Sequence, residues 1–160
     1  MLTDFKDLPG HSRIWIYQSN RSFTDAELKE IEESLSGFLK EWTAHGSELH
    51  AGFEIRYKRF IIIGLDQSNT GASGCSIDAS VHFIQSLEQK YNVVLLDRMN
   101  VSFKQGEFVA YKPLQDFKRM AKEKAISKNT IVFNNLVASK LEYLENWEVP
   151  ASESWHARFV

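Results

Sequence analysis

Between Leu28 and Trp42 apolar side chains return every three or four residues, at Leu28, Ile31, Leu35, Phe38, Leu39 and Trp42. That spacing lines one face of a helix. Its start is also marked. Thr24 and Glu27 stand three apart, as a capping box requires, so that each side chain meets a backbone N–H left free by the first turn. Phe23 and Leu28 hold the two staple positions around that cap. The pattern fades near Ala44, and Gly46 is the expected stop. Upstream, "RIWIYQ" (Arg13 to Gln18) is β-branched and aromatic and predicts a strand.

Phe53 to Leu65 reads as one long strand. Phe53, Ile55 and Tyr57 alternate with Glu54, Arg56 and Lys58, which leaves one face wet, whereas Phe60 to Ile63 is apolar on both faces, as in a central strand. The register changes at Lys58–Arg59, where a bulge is expected. The alternative turns Arg59 inward, where it needs a partner. Ile77, Val81, Ile84, Leu87 and Tyr91 mark a second helix, and "NVVLLD" a short buried strand ending at Asp97. Val101 and Phe103, then Phe108 and Tyr111, flank "KQGE" as the arms of a hairpin. Pro113 suits the first turn of a third helix, with Leu114, Phe117, Met120 and Ala121 inward. Phe133, Leu136, Val137, Leu141, Leu144 and Trp147 mark a fourth helix; "TIVF" before it fits strand and helix equally.

The order β-α-β-α-β-β-β-α-α predicts an α/β fold, with α+β as the alternative: a mixed β-sheet with helices packed on it. Strand–helix alternation implies a parallel part, and the late hairpin an antiparallel one. The order is similar to the thioredoxin-like arrangement. Without a Cys-x-x-Cys pair, and with no proline near the third strand, redox exchange by a resident cysteine pair is excluded. The three prolines fall at expected element edges and no repeat interrupts the chain, so residues 1–160 are expected to form a single globular domain.

Charge and cysteine content narrow the chemistry. A net charge of −2 gives no general attraction to nucleic acid or anionic lipid. Lys112, Lys118, Arg119, Lys122, Lys124 and Lys128 gather late, but Asp116 and Glu123 dilute them, and a solvated helix face is the better reading than a nucleic-acid surface. The one cysteine, Cys75, forms no internal disulfide and no multi-cysteine zinc site. His45 and His50 flank "GSEL" without a metal-binding spacing. No metal and no cofactor are expected. The longest apolar run falls far short of the roughly 20 residues of a membrane span, and "MLTDFKDLPGHS" lacks signal-peptide character. A soluble cytoplasmic protein is expected.

"TGASGCSID", residues 70 to 78, carries the candidate chemistry. It joins an apolar run to a helix. Gly71 and Gly74 are suited to positive φ, and Ser73 or Ser76 to capping. A turn alone explains every residue but the cysteine. A helix start also presents free N–H groups to an anion. The candidate ligand site is Gly71, Ser73, Gly74, Cys75, Ser76 and Asp78, with Asp97 and Arg98 at the end of the following strand. No lysine follows the glycines, so this is not a Walker loop. Cys75 is the candidate nucleophile of the competing reading. Asp78 and His82, four apart, can pair on one helix face. His82 lies about 10 Å further along the axis, too far to act as base to Cys75. That leaves His45, His50 or His156.

"SGCSID", "VVLLDR", "VFNNLV" and "SWHARF" together resemble a family of small uncharacterised bacterial proteins of about this length, often labelled ABC transporter ATPases. The resemblance covers most of the chain and implies no cofactor or site residue. The ATPase label itself has no support in the motifs: the phosphate-loop lysine is absent, and "SLSGF", Ser34 to Phe38, lies inside the first amphipathic helix. The sequence thus leads to a domain that binds a small anionic ligand at Gly71–Ser76, or that assembles with a protein partner or a second copy. The alternative is a thiol-dependent hydrolase or transferase using Cys75.

Overall fold

Strand β1 (Arg13–Gln18) and helix α1 (Asp25–Glu41) form where the periodicity places them. The capping box closes as expected, with Glu27 N–H donating to Thr24 Oγ1 at 3.1 Å and Thr24 N–H to Glu27 Oε1 at 2.8 Å. In the computed structural model, which describes residues 1–160, the chain divides into two units. Met1–Leu96 and Ala138–Leu141 make the first; Asp97–Val137 and Glu142–Val160 make the second. The chain is a mixed α/β protein, as the strand–helix alternation predicts.

In the first unit a small hairpin follows α1, made of β2 (Thr43–Ala44) and β3 (Ser47–Glu48). Then come β4 (His50–Arg56), β5 (Phe60–Asp66) and α2 (Gly74–Tyr91). The sheet order is β1-β5-β4, and every ladder is antiparallel. The expected parallel part is therefore absent, because the expected long strand folds back on itself. Tyr57 and Lys58 take φ of 54° and 56°, and Arg59 N–H donates to Arg56 O at 3.1 Å. Because Arg56 pairs with Phe60, the hairpin loop holds three residues: Tyr57 and Lys58 make a turn of the I′ kind and Arg59 is an extra, bulged residue, itself buried as the alternative reading required. Glycine and asparagine usually mark such a turn; here a tyrosine and a lysine hold the left-handed conformation, so the sequence carried no sign of it.

Central β5 explains the doubly apolar run. Ile61, Ile63 and Leu65 join the core that includes Ile31, Leu35 and Leu39 of α1 and Ile84 and Leu87 of α2. On the opposite face Gly52 and Gly64 are direct ladder partners. Together they make a floor on which residues 1–8 lie. Thr3 N–H donates to Ala51 O at 2.8 Å, and Phe5 and Leu8 are buried. Residues 138–141 complete this layer. Ile14 N–H donates to Ala138 O, and Lys140 N–H to Ser12 O, both at 2.9 Å. Lys140 is 7% exposed, and its ammonium donates to the carbonyls of Leu8 at 2.6 Å and Lys6 at 2.9 Å.

"NVVLLD" is not a strand. Asn92 ends α2 in the left-handed conformation, φ 51°. The donors that a neighbouring strand would have taken go to side chains instead. Val94 N–H meets Asn20 Oδ1 at 2.9 Å, while Leu95 and Leu96 N–H meet Glu88 Oε2 at 2.7 and 3.1 Å. Val93 and Leu95 are buried and Val94 between them is exposed, an alternation like that of a strand, but the segment pairs with none.

Arg21 joins the two helices of this unit. Its guanidinium grips Glu27 through both oxygens, at 2.8 and 2.9 Å, and donates to Tyr91 O, at the end of α2, at 2.7 Å. The Arg21 hydrogen bonds, helped by the cap N–H of Thr24, hold the Glu27 carboxyl down at about 2. Because the folded value lies below the unfolded one, the stabilisation is present above pH 4.5 and is lost as pH falls toward 2. Glu27→Gln is expected to cost about 1–2 kcal/mol at pH 7, allowing for solvent screening of a partly exposed pair. Urea midpoints should show the gap between wild type and variant closing as pH falls from 4.5 to 2.

The second unit opens with the expected hairpin, β6 (Asn100–Gln105) and β7 (Phe108–Pro113), turning at Gly106, φ 62°. Pro113 closes β7 and caps α3 (Leu114–Lys122). "TIVF" resolves as strand β8 (Ile131–Phe133). Helix α4 spans only Lys140–Asn146, and β9 is Glu148–Pro150. The sheet order is β7-β6-β8-β9, again wholly antiparallel. The expected fourth helix thus begins later than its apolar pattern: Phe133 belongs to a strand, and Leu136, Leu141 and Leu144 are exposed. Phe103, Phe117, Val132 and Ala151 form the core here.

Candidate functional site

Helix α2 starts at the glycine loop, and Ser73 is its cap. Ser73 Oγ accepts from Ser76 N–H at 3.1 Å, and Ser76 Oγ accepts from Ser73 N–H at 2.7 Å. Ala72 N–H donates to Gln67 Oε1 at 3.1 Å. Ile77 N–H begins the helical ladder on Ser73 O. Gly74 and Cys75 are left as the residues of the first turn whose N–H groups have no partner within the fold. The main-chain donors are therefore partly consumed and partly open. Neither Gly71 nor Gly74 takes positive φ, contrary to expectation. A Cβ at Gly74 would meet nothing within 4 Å, so this residue is not required by the turn.

A groove of about 550 Å³ lies against this helix start. One wall is the end of α1, with Phe38 and Trp42. Trp42 is locked by its indole N–H, which donates to Ser76 O at 2.8 Å. Phe38 stacks on Phe83 with centroids 4.7 Å apart. The second wall is Ser73, Cys75 and Ser76, with Ala79 one turn further along. Cys75 is exposed. The third wall is the β2–β3 hairpin, which contributes Thr43 and His45. His45 and Gly46 take φ of 52° and 80°, a turn that projects His45 from the hairpin tip. Glu41 adds a carboxylate to the lining.

Of the three histidines left as partners for Cys75, only His45 lines this groove. His50 lies in β4 opposite Asp66. His156 belongs to the second unit. Asp78 and His82 are both exposed on α2. Asp97 and Arg98 also belong to the second unit. They are exposed, and Asp97 Oδ1 accepts from Met99 N–H at 2.8 Å in a local turn. They do not stand at a strand end, because the strand expected before them does not form.

A serine, a histidine and an aspartate also meet at the end of β5, but their wiring is not that of a nucleophile. The Ser68 hydroxyl donates to Asp66 Oδ1 at 2.6 Å, and His11 Nε2 approaches both Ser68 Oγ (3.0 Å) and Asp66 (3.6 Å). A triad needs the imidazole between the other two, one nitrogen to each. Here the cluster serves the carboxylate. The Ser68 hydroxyl, then its N–H, hold Asp66 below the ordinary aspartate value, with the charges of His11 and His50 adding to the effect.

Sequence reasoning found the helix-start wall, named His45 only as one of three histidines that could serve Cys75, and missed the aromatic wall and the hairpin that carries His45. Phe38 and Trp42 read as core because their spacing is that of a buried stripe. "AHGS" could have been recognised as a two-residue turn, which would have put His45 at a hairpin tip.

The class defined by these observations is a mixed α/β protein with an aromatic-walled groove at a helix start. Compared with known proteins, the chain matches no family model, no curated protein and no solved structure. No helix is long and apolar enough to cross a membrane, and no three acidic, histidine or cysteine side chains gather as a metal site.

Proposed function

We propose that the first unit binds a small organic ligand in the groove between α1, the β2–β3 hairpin and α2. The apolar body rests on Phe38 and Trp42, and a single acceptor oxygen meets the N–H groups of Gly74 and Cys75. One coincidence carries this reading: Cys75, one of the two residues with an open donor, lines a concavity of about 550 Å³ with aromatic walls, and Gly74 is its chain neighbour. Small-ligand sites have this size and this mixture of apolar surface with a few placed polar groups. Glu41 opposes a multiply charged anion, so a monocarboxylate or carbonyl compound fits better than a phosphate ester or nucleotide.

Hexanoate is the probe of choice, with inorganic phosphate as comparison. Hexanoate is expected to shift the Gly74 and Cys75 amides saturably at millimolar concentration, and Ala79→Trp, which fills the groove from an exposed position, to abolish the shift. No saturable shift at 20 mM (about the weakest useful affinity on the millimolar scale), or one unaffected by Ala79→Trp, overturns the reading.

A second reading has one observation in its favour. Cys75 and His45 line the same groove, and a thiol-dependent hydrolase or transferase needs a base beside its thiol. It expects His45→Ala to slow alkylation of Cys75 by iodoacetamide at pH 7 by about tenfold or more, given the 10²–10⁴ typical of a working base. Equal rates remove it.

A further inference from the structure

Residues 151–160 close the second unit, in two 3-10 turns, Ala151–Glu153 and Trp155–Phe159. Their main chain is attached to the rest of the unit at two places only. Ala151 N–H donates to Thr130 O at 2.8 Å and Ser152 N–H to Lys128 O at 3.0 Å. Beyond that the backbone bonds are internal: Ser154 to Ala151, Ala157 to Ser154, Val160 to Ala157. Residues 153–160 are thus held by side-chain packing, and can leave without breaking a strand ladder.

The centre of that packing is a titratable group. His156 is 0% exposed. Its ring stacks on Trp155 at 3.8 Å and meets Phe117 edge-on at 5.4 Å. Nδ1 pairs with Ser154 Oγ at 2.8 Å, while Nε2 is buried without a partner, as is the neighbouring Trp155 Nε1. A second proton on this ring would therefore place a cation among aromatic rings with no acceptor for one of its two N–H groups, a far costlier arrangement than a neutral ring.

We propose that residues 153–160 are an acid-releasable cover over the core of the second unit, opened by protonation of His156. The charged groups of the surrounding elements do not oppose this. On α3, Asp116 pairs with Arg119 at 3.4 Å, and Lys118 lies over the Phe159 ring at 4.9 Å. Lys104 of β6 pairs with Glu148 of β9 at 3.0 Å. Glu153 and Arg158 are exposed in the cover itself, and β8 contributes no charge. Burial is the single cause that pushes the imidazole down to about 4, so none of these charges compensates it. The sign follows directly. The released ring takes up its proton near 6.5 and the packed ring only near 4, so the open form gains as pH falls through that interval. The product is an exposed aromatic segment, with Phe117 uncovered.

Native-state amide exchange on the intact chain tests this. The protection factor of Ala157, corrected for intrinsic exchange, is expected to fall about 30-fold between pH 7.5 and pH 5. Protection of the β6 amides Val101 and Phe103 should hold, and the Ala157 effect should vanish in His156→Phe. Unchanged Ala157 protection, a fall shared equally by the β6 amides, or persistence in His156→Phe overturns the proposal. Should His156→Phe fail to fold, the wild-type His156 Cε1 resonance decides. Its midpoint must lie well below 6.5 while Ala157 protection already begins to fall near 6.5, and a midpoint at or above 6.5 overturns the proposal.

Discussion

Gly52→Ala is expected to destabilise the first unit by about 3 kcal/mol or more, the upper range for forced overpacking. A Cβ at this position runs into the Thr3 carbonyl oxygen and also meets Phe5 N at 3.0 Å and Phe5 Cα at 3.1 Å. All three are backbone atoms, and they cannot swing aside as a side chain does. The segment they belong to is anchored on both sides, by Thr3 N–H on Ala51 O and by Ala51 N–H on Met1 O. Relief therefore requires that residues 1–5 lift from the sheet, which exposes Phe5. Gly37→Ala supplies the contrast. Gly37 is exposed inside α1, and its Cβ meets nothing within 4 Å, so alanine should stabilise by about 0.5–1 kcal/mol through helix propensity. Urea midpoints followed by far-UV circular dichroism compare the two. A Gly52→Ala midpoint equal to wild type would show that residues 1–5 do not lie on this floor.

The second large effect is expected at Lys140. Its ammonium fills the gap over two carbonyls, those of Lys6 and Leu8, and lies 5.5 Å from the Phe5 ring centroid. Lys140→Met keeps most of the apolar stem and removes the donors. It strands two acceptors, one in a fully buried contact, and is expected to cost about 2–4 kcal/mol. The loss should be insensitive to salt, because the partners are carbonyl dipoles within the fold and not an exposed counter-ion. A loss below 0.5 kcal/mol (about the noise of an ordinary surface substitution) would mean that the ammonium does not hold the carbonyls.

Local signals carried local structure well. Thr24 and Glu27 fixed the start of α1 because both halves of that cap lie within one turn, and the apolar stripe of α1 faces the core as expected; on α2 only Ile84, Leu87 and Tyr91 do, because the buried face of its first half carries Ser76 and Ser80 in place of the expected Ile77 and Val81. What failed was pairing, which is not local. Tyr57–Lys58 turn the chain without a glycine, so two strands read as one and the sheet was given a parallel part it lacks. Val93 and Leu95 are buried in alternation with exposed Val94, yet Glu88 and Asn20 take up the donors of Val93–Leu96. No hydrophobic pattern distinguishes that from a strand. Of the apolar residues from Phe133 to Trp147, Phe133 belongs to a strand, Leu141 and Leu144 to a short helix, and Leu136, Val137 and Trp147 to the connections, so their apparent helical spacing was a coincidence.

The candidate groove was legible to the same extent. The cap at Ser73 and the exposed thiol of Cys75 were readable from one short stretch. The aromatic wall was not, because Phe38 and Trp42 serve the core and the groove at once and their spacing reports only the first role. Assigning Asp97 and Arg98 to the same site depended on a strand that does not form.

The four residues 138–141 that complete the first unit are separated in sequence from everything else in it. During translation the N-terminal portion emerges first, but Gly10, Ser12 and Ile14 must wait for Lys140 and its neighbours before their main-chain bonds can close. The nascent chain must therefore emerge past residue 141 before this half can reach its final state, with Phe5 and Leu8 only loosely covered in the meantime. A premature stop codon anywhere between 97 and 137 should yield a product prone to aggregation and to proteolysis, and not a stable fragment ending at Leu96.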